Sequence, residues 1–268
     1  MDTLTGSGVS LPPARPPMPT RRILGAYFNE TKFEFLGALR TIGFAVPFLL
    51  LPVMIYLLFG VAMSGDAITK NPRVADFLFC SFSVFAISGP AVFGIGVGLA
   101  MERDAGLVKW KRALPLPPGS YLLAKMLMAM IFAALTFTSL LITALIVGKL
   151  TLSAGQLTAL AAVMIIGALP FVALGLFIGV YFSGSVAPAI GNLVYLPSIW
   201  LGGLFIPLPK FLQAQAVVWP TFHLNQIATG IAGLEEFHVV PSLVSLGVLV
   251  GVTVLFGGLA IHRLARKG

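Results

Sequence analysis

Residues 126–148 read MLMAMIFAALTFTSLLITALIVG, twenty-three positions without one Asp, Glu, Lys or Arg. Wound as an α-helix at 1.5 Å per residue, the run is about 34 Å long, enough to cross about 30 Å of hydrocarbon. Only helices and closed barrels satisfy their backbone in lipid, and this run lacks the polar-apolar alternation of a barrel strand. The stretch therefore predicts an all-α membrane protein.

Working outward, the same test finds uncharged runs at 41–65, 77–101 and 237–262. The run from Leu150 to Pro209 is long enough for two crossings, with a break at Ser183-Gly184-Ser185 followed by Pro188. Six transmembrane helices are expected, at about 42–62, 77–100, 122–147, 157–182, 188–206 and 241–262. Pro47, Pro52, Pro90, Pro170 and Pro197 fall inside these spans and are expected to kink them. The spans are read as free of charge. That argues against ion-coupled transporters and cation channels, which carry ionisable groups in the membrane.

Composition agrees. Of 268 residues 58% are apolar and 10% charged, and the mean hydropathy is +0.99. A soluble domain carries roughly 25% charge, so an ordinary cytosolic enzyme is excluded. The net charge of +8 would suggest nucleic acid in a soluble chain. Here the basic residues sit between apolar runs, which points to membrane topology and lipid headgroups, with no nucleic acid as partner. Thirteen of the seventeen Lys and Arg lie before helix one, between helices two and three, or after helix six. The positive-inside rule then places both termini in the cytoplasm of a multi-pass protein, expected in a bacterial plasma (inner) membrane.

Residues 1–21 contain five prolines among polar and small residues and read as a disordered cytoplasmic tail. Residues 22–40 show helical periodicity, with Leu24, Tyr27, Phe28, Thr31, Phe35, Ala38 and Leu39 on one face. An amphipathic helix lying in the cytoplasmic interface is expected. The loop 101–120 is the most distinctive segment. Glu102 and Arg103 end helix two, Gly106 permits a sharp turn, and 107–114 can form two turns with Lys109, Lys111 and Arg112 on a basic side. Pro115, Pro117 and Pro118 stop that short helix, and Ser120 is the expected N-cap of helix three.

Chemistry-bearing motifs are absent from the sequence. It contains no G-x-x-x-x-G-K-[ST], H-E-x-x-H or G-x-S-x-G, and one cysteine, Cys80. No catalytic residue and no metal ligand is assigned, no cofactor is expected on this chain, and His223 reads as an interfacial hydrogen-bonding residue. Small residues at helical spacing, Gly94 with Gly98, Gly175 with Gly179 and Gly247 with Gly251, are read as close packing between helices.

Three stretches carry a resemblance: Glu102-Arg103-x-x-Gly106-Leu107, then Lys111-Arg112-Ala113-Leu114-Pro115-Leu116-Pro117, then Tyr121-Leu122-Leu123-x-Lys125. Together they resemble the loop of ABC-2 type transporter permeases. Gly202-Gly203-Leu204-Phe205-Ile206-Pro207-Leu208, Phe211-Leu212-Gln213 and Trp219-Pro220-Thr221-Phe222-His223-Leu224 are similar to that family's outer segment. At position 105 many members carry a charge, where this chain has Ala105. The resemblance covers about 22–265 and implies an ABC-2 type transmembrane domain over 22–268. It implies the permease half of an ATP-driven exporter of a hydrophobic or amphipathic compound: a drug, an antibiotic or a lipid-like molecule. It also implies a homodimer of permease chains with two cytoplasmic ABC ATPase subunits, which would hold ATP and Mg. The loop 101–120 would couple to the ATPase through Glu102, Arg103, Gly106, Leu107, Lys109, Lys111, Arg112 and Pro115. The segment between helices five and six would be partly re-entrant, with Gly203, Phe205, Pro207, Trp219, Pro220 and His223 in the outer segment. The alternatives are a polytopic enzyme acting on lipids or peptides, or a membrane assembly factor without transport activity.

Overall fold

The computed structural model describes residues 20–113, 119–206 and 208–267. All regular elements among them are helical. Five helices are long and apolar enough to cross a membrane: α2 (Ile42–Ala62), α4 (Arg73–Asp104), α6 (Ser120–Val147), α7 (Ala154–Tyr181) and α11 (Ser242–Lys267). Shorter helices join or flank them: α1 (Thr20–Arg40), α3 (Gly65–Lys70), α5 (Leu107–Ala113), α8 (Ala187–Leu201), α9 (Lys210–Ala216) and α10 (Pro220–Ile231). The span expected at 188–206 is thus the 15-residue α8, about 22 Å long. It stops early because Gly202 and Gly203 follow, the latter at φ +74°, where a side chain would be strained. α1 starts at Thr20, inside the expected tail 1–21; residues 1–19 lie outside the described ones.

Proline shapes the long helices. Pro52 lacks an N–H, and one turn later α2 widens into a π-helix over Tyr56–Ala62, which closes with Met63 N–H donating to Leu58 O at 2.9 Å. Pro90 does the same in α4, where Pro90–Ile95 is π-helical. In α7 the helix is interrupted at Gly167 and Ala168, just before Pro170. The start of α7 is a capping box, with Ser153 and Gln156 each satisfying the other's backbone N–H.

The bundle is centred on α4 and α7. In each, 72% of the most apolar stretch is buried, against 17–33% in α2, α6 and α11. The outer three expose large apolar side chains such as Met54, Ile146, Leu243 and Val254. In water that surface would drive aggregation; in lipid it costs nothing. The chain is a multi-pass membrane protein. Where α4 and α7 cross, backbone meets backbone. A Cβ on Gly175 would lie 2.6 Å from Ala91 O, and one on Gly179 would lie 2.7 Å from Gly96 O. Gly175 and Gly179 therefore pack as expected, but their partner on α4 is Gly96. Gly98, Gly247 and Gly251 face open space, and Gly94 meets the Phe44 ring.

The reading of charge-free spans needs correction at two places. α4 begins four residues before the uncharged run, which brings Asp76 into the helix at 1% exposure. Lys125, in the first two turns of α6, is 2% exposed. Both are tolerated because they are paired. Asp76 accepts the Thr151 N–H (2.9 Å) and the Thr151 hydroxyl, clamping the connection between α6 and α7 onto α4. Hydrogen bonds to a charged group contribute about 1.5–3 kcal/mol. Asp76→Ala is expected to lower the melting temperature by several degrees in detergent; an unchanged melting curve would show that the clamp contributes nothing.

Candidate functional site

The sequence Glu102-Arg103-Asp104 closes α4, and successive residues on a helix point about 100° apart. Each charge therefore meets a different neighbour. Glu102 accepts from Lys125 Nζ at 2.9 Å and from the Tyr121 hydroxyl, both on α6. Arg103 turns to the C-terminal end of α7 and donates to the carbonyls of Gly179 (3.0 Å), Val180 and Phe182 (2.7 Å). Those carbonyls end a helix and have no helical partner, and the helix dipole there favours a cation. Asp104 accepts the Gly184 N–H at 2.7 Å, which fixes the turn into α8. The resemblance implied that Glu102 couples to the ATPase; within this chain it pairs with Lys125 and Tyr121.

Beyond Asp104 the chain reverses through Gly106 at φ +77°, as its residue type predicts, and forms α5. Lys111 on α5 reaches α1, at 2.6 Å from Glu30 and 2.5 Å from Glu34. Glu34 also receives Lys125 at 2.9 Å. Both ammonium groups lie over the Tyr121 ring, 4.8 and 5.0 Å from its centre. Burial alone would raise the Glu34 carboxyl, but Lys125 and Lys111 hold it below its ordinary value. Burial would lower Lys111, but Glu30 and Glu34 hold it above its ordinary value. Both shifts favour the charged forms of Glu34 and Lys111.

Two sides of α5 result. Val108 is buried and Lys111 is engaged, whereas Leu107 (47% exposed), Lys109 and Trp110 (61%) point away from the bundle. Arg112 belongs to the same helix, and Pro115 lies outside the described residues. The helix expected at 107–114 is described as far as Ala113. The expected cap Ser120 is instead a buried first residue of α6, and Gly119 at φ +79° takes the N-cap position. On α1, Tyr27, Thr31, Phe35 and Ala38 turn towards the bundle, with Glu30 and Glu34 between them. Leu24, Phe28 and Leu39 stay exposed, so the apolar face is narrower than the periodicity suggested.

The second segment lies at the other end of α4, about 30 Å away along the helix. Gly202 and Gly203 turn the chain so that Phe205 enters an aromatic cluster. It stacks on Trp200 at 4.7 Å and meets Phe59, Phe82 and Phe85 at 5.5–5.8 Å. Trp219 donates to Gln215 at 2.9 Å, and Pro220 opens α10, where a missing N–H costs no helical bond. His223 is 1% exposed; its Nε2 donates to Val217 O at 2.8 Å, and its Nδ1 pairs with the Ser245 hydroxyl at 3.2 Å. The hydrogen-bonding reading of His223 fits, in the packed interior between α10 and α11. Pro207 lies outside the described residues.

Sequence reasoning did not single out Glu30, Glu34 or Trp110. The signal was there: two acids four residues apart on α1, and a tryptophan amid the charges of a loop. Which cation the acids meet depends on packing.

A sequence profile of the ABC-2 type transporter matches residues 27–236. A protein of Bacillus subtilis (strain 168) named "Putative transport permease YvfS" is 27% identical over 195 residues, covering 72% of this chain and 79% of that one.

Proposed function

Because this chain belongs to the ABC-2 type transporter family, we propose that it is the membrane-spanning permease subunit of an ATP-driven exporter, moving a hydrophobic or amphipathic compound. In this reading ATP and Mg are bound by separate cytoplasmic ATPase subunits, one docked on each permease of a homodimer. The Lys/Arg-rich end of the bundle faces the cytoplasm. The chain then crosses six times, α8 and the residues after it making the fifth crossing, with α9 and α10 folded partly back from the outer side. α1 lies along the inner interface, and its exposed Leu24, Phe28 and Phe33 contact lipid.

The observation that carries the reading is the two-sidedness of α5. Its inner side is tied by charge to α1, and through Glu34, Lys125 and Glu102 to α6 and α4. Its outer side presents Leu107, Lys109 and Trp110. A soluble partner pushing on the outer side moves the connected helices together, because buried ion pairs and packed helices deform little. Tryptophan at the centre of a contact commonly carries much of the binding energy.

The chain, tagged and purified from native membranes, is expected to bring an ATPase with it. Trp110→Ala, which removes an exposed ring, and Gly106→Val, which places a β-branched residue at positive φ, are each expected to lower the copurified ATP hydrolysis more than tenfold. Trp110→Ala should leave the melting temperature of the chain unchanged. Wild-type protein free of ATPase, or full ATPase recovery by both variants, would overturn the reading.

A further inference from the structure

Between α1, the start of α2, the end of α4 and α6 lies an open cavity of about 750 Å³. That volume is in the range of drug-sized ligand sites. Its walls are apolar and aromatic, with Phe33, Phe44, Phe93 and Met128 among them. The space exists because glycines line it. Added Cβ atoms on Gly37, Gly43 and Gly98 would meet nothing within 4 Å. One end is charged, with Glu30, Glu34 and Glu102 against Lys111 and Lys125. Among the described lining residues, three carboxylates against two ammonium groups leave one formal negative charge at the end of an apolar chamber. Glu34 and Glu102 each hold two donors, whereas Glu30 accepts from Lys111 alone among the described contacts. The basic residues elsewhere on this face, such as Lys32 and Arg40, are exposed, and water and salt screen them over about 8–10 Å.

We infer that this cavity binds a lipophilic monocation, its apolar body among the phenylalanines and its charge beside Glu30. An anion of the same size would meet the surplus carboxylate, and a neutral lipid chain would leave it uncompensated. The inference rests on the permease reading and names the class of its cargo, but binding to the cavity needs no ATPase.

The test uses two ions of nearly equal size and shape, tetraphenylphosphonium and tetraphenylborate. Each is equilibrated with the full chain in phosphatidylcholine nanodiscs, and uptake by protein-free nanodiscs is subtracted. The cation is expected to bind saturably at one site per chain, at least tenfold tighter than the anion. Glu30→Gln should weaken the cation at least fivefold and leave the anion unchanged. Gly98→Leu, which fills open space without touching backbone, should abolish cation binding while the melting temperature holds. Equal binding of the two ions would show an apolar groove for lipid and overturn the inference. So would full cation affinity in Gly98→Leu. Neither result bears on whether an ATPase copurifies, so the two readings fail separately.

Discussion

Lys125→Met is expected to be the most damaging change of a single charge in this protein. Lys125 is 2% exposed and lies 2.9 Å from both Glu34 and Glu102. Methionine matches its length, so the variant removes charge more than volume. Two carboxylates then remain partly buried with one cation fewer, and breaking such a pair costs about 3–5 kcal/mol. For a chain of this size roughly 2–4 °C is lost per kcal/mol, so the melting temperature should fall by about 6–20 °C. The link from α5 to α4 also runs through this ammonium group, so α1 should become open to proteolysis before the bundle unfolds. The companion variant Lys125→Met with Glu34→Gln and Glu102→Gln has neutral groups of the same shape at all three positions. It should recover most of the loss, because a neutral cluster carries no unpaired charge. Thermal melts in detergent check both. A triple variant no more stable than the single one would mean that Lys125 acts by packing and not by charge.

The second large effect is expected where α4 crosses α7. In Gly175→Val the first added carbon falls 2.6 Å from Ala91 O, 3.1 Å from Val92 O and 3.2 Å from Gly96 N. These are backbone atoms of a neighbouring helix and cannot rotate aside as a side chain can. The helices must separate along a seam that forms the centre of the bundle. Overpacking in a well-packed core costs about 1–3 kcal/mol, and more where backbone must move. Gly175→Val is expected to give little folded protein in the membrane fraction. Gly98→Ala is the control: it lies in the same helix as Gly96 but faces open space. It should be neutral or stabilising by up to about 1 kcal/mol, as alanine is the better helix former. Yields by size-exclusion chromatography separate the two cases. Normal yield of Gly175→Val would show that the crossing is looser than the close approach of these helices implies.

The same two sites show how much of the molecule could be read from its residues. The uncharged run at 126–148 becomes the apolar part of α6, and Gly106 turns where it was expected to turn. The two-turn helix after Gly106 and the broken helices around Pro209 and Pro220 follow from local proline, glycine and charge patterns. The limits of reading by charge also show at Asp76 and Lys125. The spans were read as free of charge, yet both residues lie within helices, because Thr151 and the two glutamates satisfy them there.

For the candidate coupling site the loop was legible and its wiring was not. Leu107 and Lys109, which the resemblance implies as coupling residues, are exposed. Glu102 and Arg103, which it implies likewise as coupling residues, tie α4 to α6 and α7. Glycine spacing shows the same limit. Gly94 with Gly98 and Gly175 with Gly179 have identical spacing, but only the second pair forms the backbone contact.

The sequence by itself determined that the chain is helical, that it belongs in a membrane, where its apolar helices run and where the chain turns. Hydrophobic length, proline, glycine and charge act over a few neighbouring residues, so they can be read along one line. Only the tertiary structure decided which carboxylate meets which ammonium group, which glycines touch, and that a chamber with surplus negative charge opens beside α1. Those depend on which helices lie side by side and how each is rotated. A rotation of one residue, about 100°, sends Glu102, Arg103 and Asp104 to three different neighbours.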